Sequence, residues 1–207
     1  MKGLFRYILM MVAALGCAMA GHAAETADAL LRKAAAAVNG AGGLTASFTL
    51  DYGQQKVSGT LKASGKKFAL QTSSTSTWYD GKNMWTYNSR SNETTLMNPT
   101  PQEVAEANPL SIVNSYSASF TAAFAKSQTK GSKTIVLSPK TKHSGYKSVH
   151  ITIPDGSSFP SRLVVVPESG QKVTVSISQV KSGQKLADAT FVYPKSKYPK
   201  AEIVDLR

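Results

Sequence analysis

Residues 44–63 have the sequence LTASFTLDYGQQKVSGTLKA. Small or apolar residues occupy every second position from Leu44 to Tyr52 and again from Val57 to Ala63, with polar residues between them. This period of two is typical of a β-strand that has one apolar and one polar face. The intervening Gly-Gln-Gln is typical of a hairpin turn. The stretch therefore predicts two antiparallel strands with a shared apolar face.

The same alternation continues towards the C-terminus. Turn residues recur about every 8–12 positions, which is the spacing of an antiparallel sandwich or barrel. The segment 119–126 is compatible with either a strand or a helix. The pattern predicts a third strand that begins with Phe68 and Leu70. It predicts further strands over 77–79, 84–87, 94–97, 134–137, 147–153, 162–166, 173–180 and 190–193.

Three segments have helical patterns instead. Between Thr26 and Val38, apolar residues recur at intervals of three and four, which predicts an amphipathic helix. Thr100-Pro101-Gln102-Glu103 is a capping box with proline in the first helical position, so a short helix is expected from Pro101 to about Ala107. A second short helix is expected over 110–116. The sequence thus predicts a curved antiparallel sheet with one N-terminal helix and two helices in a mid-chain insertion.

The N-terminal residues have the composition of an export signal. Lys2 and Arg6 precede an apolar run that is short for a membrane span, and small residues that could be cleaved follow it. We therefore expect a signal over 1–23 and a single domain over 24–207. The alternative is a lipid anchor at Cys17, the only cysteine, because a glycine precedes it. A mature chain without cysteine must be stabilised by its core rather than by disulfides.

The chain is basic, with 24 Lys and Arg residues against 12 Asp and Glu and a net charge of +12. Nineteen of the basic residues are Lys and five are Arg, and the lysines are scattered. Nucleic-acid recognition favours clustered Arg, so no nucleic-acid partner is expected. A solvated basic surface, or one that attracts acidic head groups or an acidic partner, fits the composition.

Catalytic residues are scarce. His143 and His150 are the only histidines after the predicted signal, and the acids are dispersed. No ligand spacing for a metal and no phosphate-binding or nucleophile motif is present. We expect no catalytic residue, no metal and no cofactor. An envelope enzyme remains an option only if a nucleophile lies beside one of these histidines.

The motifs along the chain, taken in order, resemble those of the outer-membrane lipoprotein carrier family (LolA-like). Residues 79–88, YDGKNMWTYN, are similar to its S-D-G-K-x-x-W-x-Y-x hairpin. The Thr-Pro-Gln-Glu-Val segment and Asn108-Pro109-Leu110 follow where the family has its lid helices. Val-Leu-Ser-Pro-Lys at 136–140 matches a family strand that ends in Leu-x-Pro, and residues 191–207 resemble its closing strand and D-x-R tail.

The resemblance implies an unclosed antiparallel β-barrel whose apolar concave face is covered by an N-terminal helix and a short helical lid. It implies a non-enzymatic, monomeric periplasmic carrier that binds the acyl chains of acylated lipoproteins. An inner-membrane exporter and an outer-membrane acceptor would be its partners in outer-membrane biogenesis. Strand parity and position suggest that the apolar cavity is lined by Phe48, Leu61, Phe68, Trp85, Leu110, Val113 and Val164.

One position departs from the family pattern. Members often have Arg-Pro shortly before the aromatic residue of the third strand, whereas this chain has Ser64-Gly65-Lys66-Lys67 before Phe68. The family arginine helps to control the lid, and neither lysine is assigned that role. Related sheets also act as lipid-anchored receptors and as stress sensors, so an envelope receptor or sensor that binds a lipid or lipoprotein is the alternative function.

Overall fold

The computed structural model describes residues 25–40, 42–142 and 144–207. The predicted signal over 1–23, Cys17 and His143 lie outside these residues. Three α-helices and twelve β-strands form the described part of the chain. They are α1 (Ala27–Asn39), β1 (Gly43–Tyr52), β2 (Gln55–Ser64), β3 (Lys67–Thr72), β4 (Thr75–Tyr79), β5 (Met84–Asn88), β6 (Glu93–Met97), α2 (Pro101–Ala107), α3 (Ile112–Ser119), β7 (Phe120–Phe124), β8 (Ser132–Pro139), β9 (Tyr146–Pro154), β10 (Arg162–Pro167), β11 (Val173–Gln184) and β12 (Glu202–Asp205).

All twelve strands belong to one sheet, in the order β12-β6-β5-β4-β3-β2-β1-β11-β10-β9-β8-β7. β12 and β7 stand at its two ends, so the sheet does not close on itself. The predicted fold class, a mainly β unclosed sheet with an N-terminal helix and a helical insertion, is confirmed. One pairing differs from the expected antiparallel pattern, because β12 runs parallel to β6.

The apolar face of the predicted hairpin lies against the helices. Phe48 pairs with Gly59, and Ala46 pairs with Leu61, so their side chains share one face of the sheet. The buried side chains of this concave face form the main core together with α1 and α3. Thr26 caps α1 by accepting a hydrogen bond from the Ala29 amide at 3.1 Å. The helical stripe predicted from the sequence is therefore the face that α1 buries.

The structure decides one segment that the sequence pattern left open and shows that the strand predicted over 190–193 is wrong. Residues 119–126, compatible with strand or helix, contain strand β7, and the strand expected over 190–193 is instead a 3-10 helix over Asp188–Phe191. Phe191 is fully buried there. Its segment lies on the convex side, where Trp78 packs edge-on against Tyr193 at 5.5 Å between ring centroids. A buried aromatic layer on the convex face therefore holds this segment without strand pairing.

Glycine at position 59 is required by its neighbours. A Cβ there would lie 2.7 Å from Cζ of Phe48 and closer still to the backbone oxygen of Gln71. The Phe48 ring thus occupies the space above Gly59, and the neighbouring strand leaves no room on the other side.

Gly59→Ala should therefore destabilise the protein by about 1–3 kcal/mol, because the Phe48 ring and the β3 backbone must both shift. The free energy of unfolding in urea measures this loss. Gln55→Ala, at an exposed position of the same strand, is the control and should change it by less than about 0.5 kcal/mol. Equal stability of the two variants would show that the Phe48 ring has room to move.

Candidate functional site

An apolar cavity of about 370 Å³ lies between the concave face of the sheet and the helices. Residues of β2 and β3 line one side of it, and Pro99, α2 and the start of α3 line the other. None of the described residues that line it is acidic. The lining residues are Val38, Leu44, Leu61, Ala63, Gly65, Lys66, Lys67, Phe68, Tyr79, Pro99, Pro101, Val104, Asn108, Leu110, Ser111, Asn114 and Ser115.

Leu110 stands between this cavity and two smaller ones. It lines a cavity of about 40 Å³ together with Phe48 and Ile177, and another of about 10 Å³ together with Phe159. Leu110 is buried and belongs to the short 3-10 helix that joins α2 to α3. Among the described residues, Leu110 is therefore the one that lines all three spaces.

Four of the residues predicted to line the cavity are found at these spaces. Leu61, Phe68 and Leu110 line the large cavity, and Phe48 lines the neighbouring one. All four are buried.

The prediction for Trp85 is wrong in its choice of face. Trp85 pairs with Trp78 of β4 and Leu96 of β6, and Trp78 packs against Tyr193 and Tyr198 of the C-terminal segment. Its sequence neighbour Met84, which belongs to the main core, points to the concave side instead. Trp85 therefore lies on the convex face.

The prediction for Val164 is wrong for the same reason. Val164 pairs with His150 and Thr174, whereas Leu163 and Val165 are buried in the main core. Residues 163–166 are all apolar, so the sequence does not alternate here and does not indicate which face of the strand is buried.

Val113 is fully buried but does not line any of the three cavities. It belongs to the main core through α3. The expectation that Val113 lines the apolar cavity is therefore corrected, because α3 packs as part of the core.

Several lining residues were not predicted. Leu44 and Ala63 continue the alternation that contains Leu61, so strand parity was sufficient to find them. Val38 at the end of α1 and Val104 of α2 depend on how the helices cross the sheet, which no local pattern specifies.

Polar contacts fix α3 to α1. The Asn39 and Asn114 side-chain amides donate to each other's oxygens at 2.9 and 3.1 Å. Further along α3, the Tyr116 hydroxyl donates to Oδ1 of Asp28 at 2.6 Å. The hydrogen bond from Tyr116, together with the hydrogen bond and the positive charge of Arg32, holds the pKa of Asp28 below its ordinary value.

α2 is attached differently. None of its residues is buried, and its apolar residues Val104, Ala105 and Ala107 pack only partly against the core. Its side-chain hydrogen bonds, among the described residues, stay within the helix and its cap. Thr100 and Glu103 form the predicted capping box, with the Thr100 amide donating to Glu103 at 2.7 Å. α2 therefore folds locally and lies on the cavity without polar ties to the sheet.

The stability of the contact between Asp28 of α1 and Tyr116 of α3 should depend on pH. Because folding lowers the pKa of Asp28, the ionised carboxylate stabilises the folded protein fully at a pH above the ordinary pKa of aspartate. This stabilisation is lost as the pH falls through the pKa of the folded state. Tyr116→Phe removes the first cause of the shift, so the pKa of Asp28 should rise towards its ordinary value. A carboxyl NMR titration of Asp28 measures this. An unchanged pKa would assign the whole shift to Arg32, 2.7 Å away.

The side chains of His150 and Ser148 are within hydrogen-bonding distance of each other. Ser148 Oγ lies 3.1 Å from Nε2 of His150 on the convex side of β9. Neither residue lines any of the cavities described above, and no described carboxylate is hydrogen-bonded to the imidazole. A nucleophilic site needs an oriented base and a place for the substrate, so this pair lacks two of its components.

In the described ranges, no cluster of three or more His, Cys, Asp or Glu side chains could hold a metal ion. None of the described helices combines the length and the apolar character that crossing a membrane requires.

Comparison with known proteins agrees with this architecture. A family model described as outer membrane lipoprotein carrier protein LolA matches residues 17–171. No curated protein matches the sequence. A solved structure of an uncharacterized conserved protein from Thermus thermophilus is similar with a TM-score of 0.60 at 14% identity, over 86% of this chain and 98% of that one.

Two further solved structures are more distant. A putative outer membrane lipoprotein-sorting protein domain from Vibrio parahaemolyticus has a TM-score of 0.49 at 11% identity, over 84% of this chain and 98% of that one. MucB in the Pseudomonas aeruginosa MucA/MucB complex has a TM-score of 0.44 at 10% identity, over 81% of this chain and 60% of that one. With a family model that matches well over half of its length, the chain belongs to the outer membrane lipoprotein carrier (LolA) family.

Proposed function

We propose that this protein is a non-enzymatic periplasmic carrier that binds the acyl chains of lipoproteins and ferries them from the inner to the outer membrane. Family membership supports a role in lipoprotein binding or sorting. The observation that carries the finer proposal is the apolar cavity of about 370 Å³ beneath the helices. Its volume falls within the range of about 300–1,000 Å³ that is usual for small-molecule sites.

The chemistry of the lining suits a hydrocarbon chain. Leu61, Ala63, Phe68, Val104 and Leu110 are among the apolar residues of its wall, and no carboxylate of a described residue lines it. Each methylene transferred from water to such a wall gains about 0.8 kcal/mol. A chain of ordinary length would thus be held without any covalent step or cofactor.

Entry of cargo requires part of the roof to move. α3 is tied to α1 through Asn114 and Tyr116, whereas α2 rests on the cavity through half-buried apolar residues. We infer that α2 and the adjoining Leu110 are the movable lid. Opening of such a lid should require only a few kcal/mol, because a larger difference would leave the open state almost unpopulated.

The partners that we propose for this activity are those that the resemblance to the family suggests. An inner-membrane exporter would supply acylated lipoprotein and an outer-membrane acceptor would receive it, with the carrier acting as a monomer between them. The domain over 24–207 would be the mature protein after removal of the signal over 1–23.

A release assay tests the proposal. Inner-membrane vesicles with an active exporter and labelled lipoprotein are incubated with the purified protein, and lipoprotein is then measured in the supernatant. We expect soluble lipoprotein in a one-to-one complex with the carrier. Val192→Asp, at an exposed position away from the cavity, should release as much as the wild type. Lipoprotein that stays in the membrane despite a working exporter would refute the carrier role.

The receptor or sensor alternative depends on Cys17, which lies outside the described residues. An intact mass of the native protein distinguishes the two functions. A mature start near Ala24 supports the soluble carrier, whereas a diacylated Cys17 supports a membrane-anchored receptor.

A further inference from the structure

Strand β7 forms one edge of the sheet. It pairs with β8 alone, in a regular antiparallel register without a bulge. The amide of Lys140 donates to the carbonyl of Ser119, and the amide of Ala125 donates to the carbonyl of Thr134, both at 2.9 Å. Because hydrogen-bonded pairs alternate along an antiparallel ladder, the odd-numbered residues of β7 bond to β8.

The even-numbered residues of β7 therefore turn their backbone groups away from β8. The amide of Phe120 is already used, because it donates to the Tyr116 carbonyl at the end of α3. The amides and carbonyls of Ala122 and Phe124 make no hydrogen bond within the described part of the chain. These groups lie where a further strand would add to the sheet.

This edge lacks the features that usually prevent strand addition. Natural edge strands often carry lysine or proline, or contain a bulge. Residues 120–124, FTAAF, include no charged residue and no proline, and the small residues Thr121 and Ala123 are exposed. The opposite edge strand, β12, is four residues long and includes Glu202 and Asp205. Of the two edges, β7 is therefore the one suited to accept another strand.

The surroundings of β7 are cationic. Residues 107–154 contain six lysines and no Asp or Glu, and none of these lysines forms an ion pair with a described residue. Nζ of Lys133 lies over the Phe124 ring, 5.8 Å from its centre. Nζ of Lys140 donates to the Ser117 carbonyl, just before β7, at 2.6 Å. An ammonium group is thus placed at each end of the strand.

Carboxylates also approach this end of the sheet from other elements. Asp28 is paired with Arg32 at 2.7 Å, so its charge is compensated. Asp155 follows β9, and its amide donates to the turn between β7 and β8 at 3.0 Å. Glu106 of α2 lies close enough to Tyr146 that its charge adds to the effect of burial in raising the pKa of that hydroxyl. Asp155 and Glu106 offset at most two of the six lysine charges, so positive charge remains in excess around the edge.

We propose that β7 binds an extended, acidic peptide segment of a partner protein, which adds to the sheet as a further strand. The peptide backbone would pair with Ala122 and Phe124, and its carboxylates would lie near Lys133 and Lys140. A second copy of this chain would instead bring the same six lysines to the edge, and such like charges repel. The inference does not depend on the acyl-binding cavity.

Hydrogen exchange followed by NMR tests the strand addition. The probe is a nine-residue peptide in which glutamate alternates with valine and threonine, added to the purified mature protein. Exchange of the Ala122 and Phe124 amides should slow at least about tenfold at saturation, because both would donate to the peptide. The amides of Ile203 and Asp205 in the other edge strand should exchange as before.

Fluorescence anisotropy of the labelled peptide separates the effects of charge and of strand pairing. A peptide with lysine in place of every glutamate should bind at least about tenfold more weakly, and binding of the glutamate peptide should weaken as salt is added. The second control is the glutamate peptide N-methylated at two neighbouring central residues. It keeps every charge but loses a donor from each of its edges, so it should also bind at least about tenfold more weakly.

Variants of the protein assign the binding to this edge. Ala123→Glu places a like charge at an exposed position of β7 and should weaken binding of the glutamate peptide about threefold, whereas Ala123→Gln should leave it nearly unchanged. The double variant Lys133→Gln, Lys140→Gln should also weaken it about threefold. Lys181→Gln, at an exposed position of the interior strand β11, is the control and should not.

Three results would overturn the inference: unchanged exchange at Ala122 and Phe124 with the peptide bound, equal binding of the glutamate and lysine peptides, or equal binding of the N-methylated peptide. Two others would reassign the edge and so overturn it as well. Exchange that slows with protein concentration alone would assign the edge to a second copy of the chain. Exchange that slows with phosphatidylglycerol vesicles, and not with the peptide, would assign it to a membrane surface.

Discussion

Replacing Val113 with aspartate should lower the free energy of unfolding by about 3–5 kcal/mol. Val113 has no exposed surface and packs in the main core through α3. An ionised carboxylate placed there would have no buried partner, and such an uncompensated charge costs about 3–5 kcal/mol. Domains of this kind are stable by only about 5–15 kcal/mol, so the loss is a large fraction of the total. Circular dichroism with thermal unfolding measures it.

Ser117→Asp is the matched control. Ser117 is an exposed residue of the same helix, and its backbone oxygen accepts a hydrogen bond from Lys140 at 2.6 Å. A carboxylate near the end of a helix is mildly unfavourable, so this variant should lose less than about 1 kcal/mol. A folded Val113→Asp protein with near-normal unfolding would mean that α3, and not α2, is the part that lifts from the sheet.

Ala63→Phe should abolish most of the binding of an apolar fluorescent probe without lowering the unfolding temperature. Ala63 is buried on the concave face of β2 and lines the large cavity. A phenyl ring at this position would occupy space that an acyl chain needs. Loss of burial of only two methylenes corresponds to about a tenfold weaker affinity. Ala63→Leu, with a smaller side chain, should give an intermediate loss.

The control is Ala123→Phe, because Ala123 is exposed on the opposite face of edge strand β7. It makes the same chemical change away from the cavity and should leave probe binding unchanged. Undiminished binding to Ala63→Phe, with normal binding to the control, would show that the ligand lies somewhere other than in this cavity.

The fold was predictable wherever one face of an element is strictly apolar. The alternation through β1 and β2, the stripe of α1 and the Thr100–Glu103 capping box each specify local structure, and each is found as predicted. The C-terminal region was not predictable in this way. Phe191 and Tyr193 have strand-like composition, but they pack on the convex aromatic layer, and tertiary contacts there replace strand pairing.

The site was predictable to a smaller extent. Phe48, Leu61 and Phe68 were found because their strands alternate, whereas Trp85 and Val164 were assigned to the wrong face. In β5, both faces are covered by apolar groups, since the C-terminal segment packs on the convex side. A sequence pattern cannot tell which of two covered faces holds the ligand cavity.

The lid was the least predictable feature. Leu110 and Val113 are three residues apart and both are buried, yet only Leu110 lines the cavities. The difference arises because a 3-10 helix carries Leu110, and α3 begins only at Ile112. Tertiary contacts decide which helix is held against the sheet. One of them is the hydrogen bond from Tyr116 to Asp28, which joins residues 88 positions apart in the sequence.

Native mass spectrometry of the protein mixed with a purified lipoprotein tests the central claim most directly, namely that the cavity holds acyl chains. The wild type should form a one-to-one complex with the acylated lipoprotein and none with the same lipoprotein lacking its acyl chains. Ala63→Phe should form little of this complex, and Ala123→Phe should form as much as the wild type. A complex that forms equally with the unacylated lipoprotein, or equally with Ala63→Phe, would contradict the account.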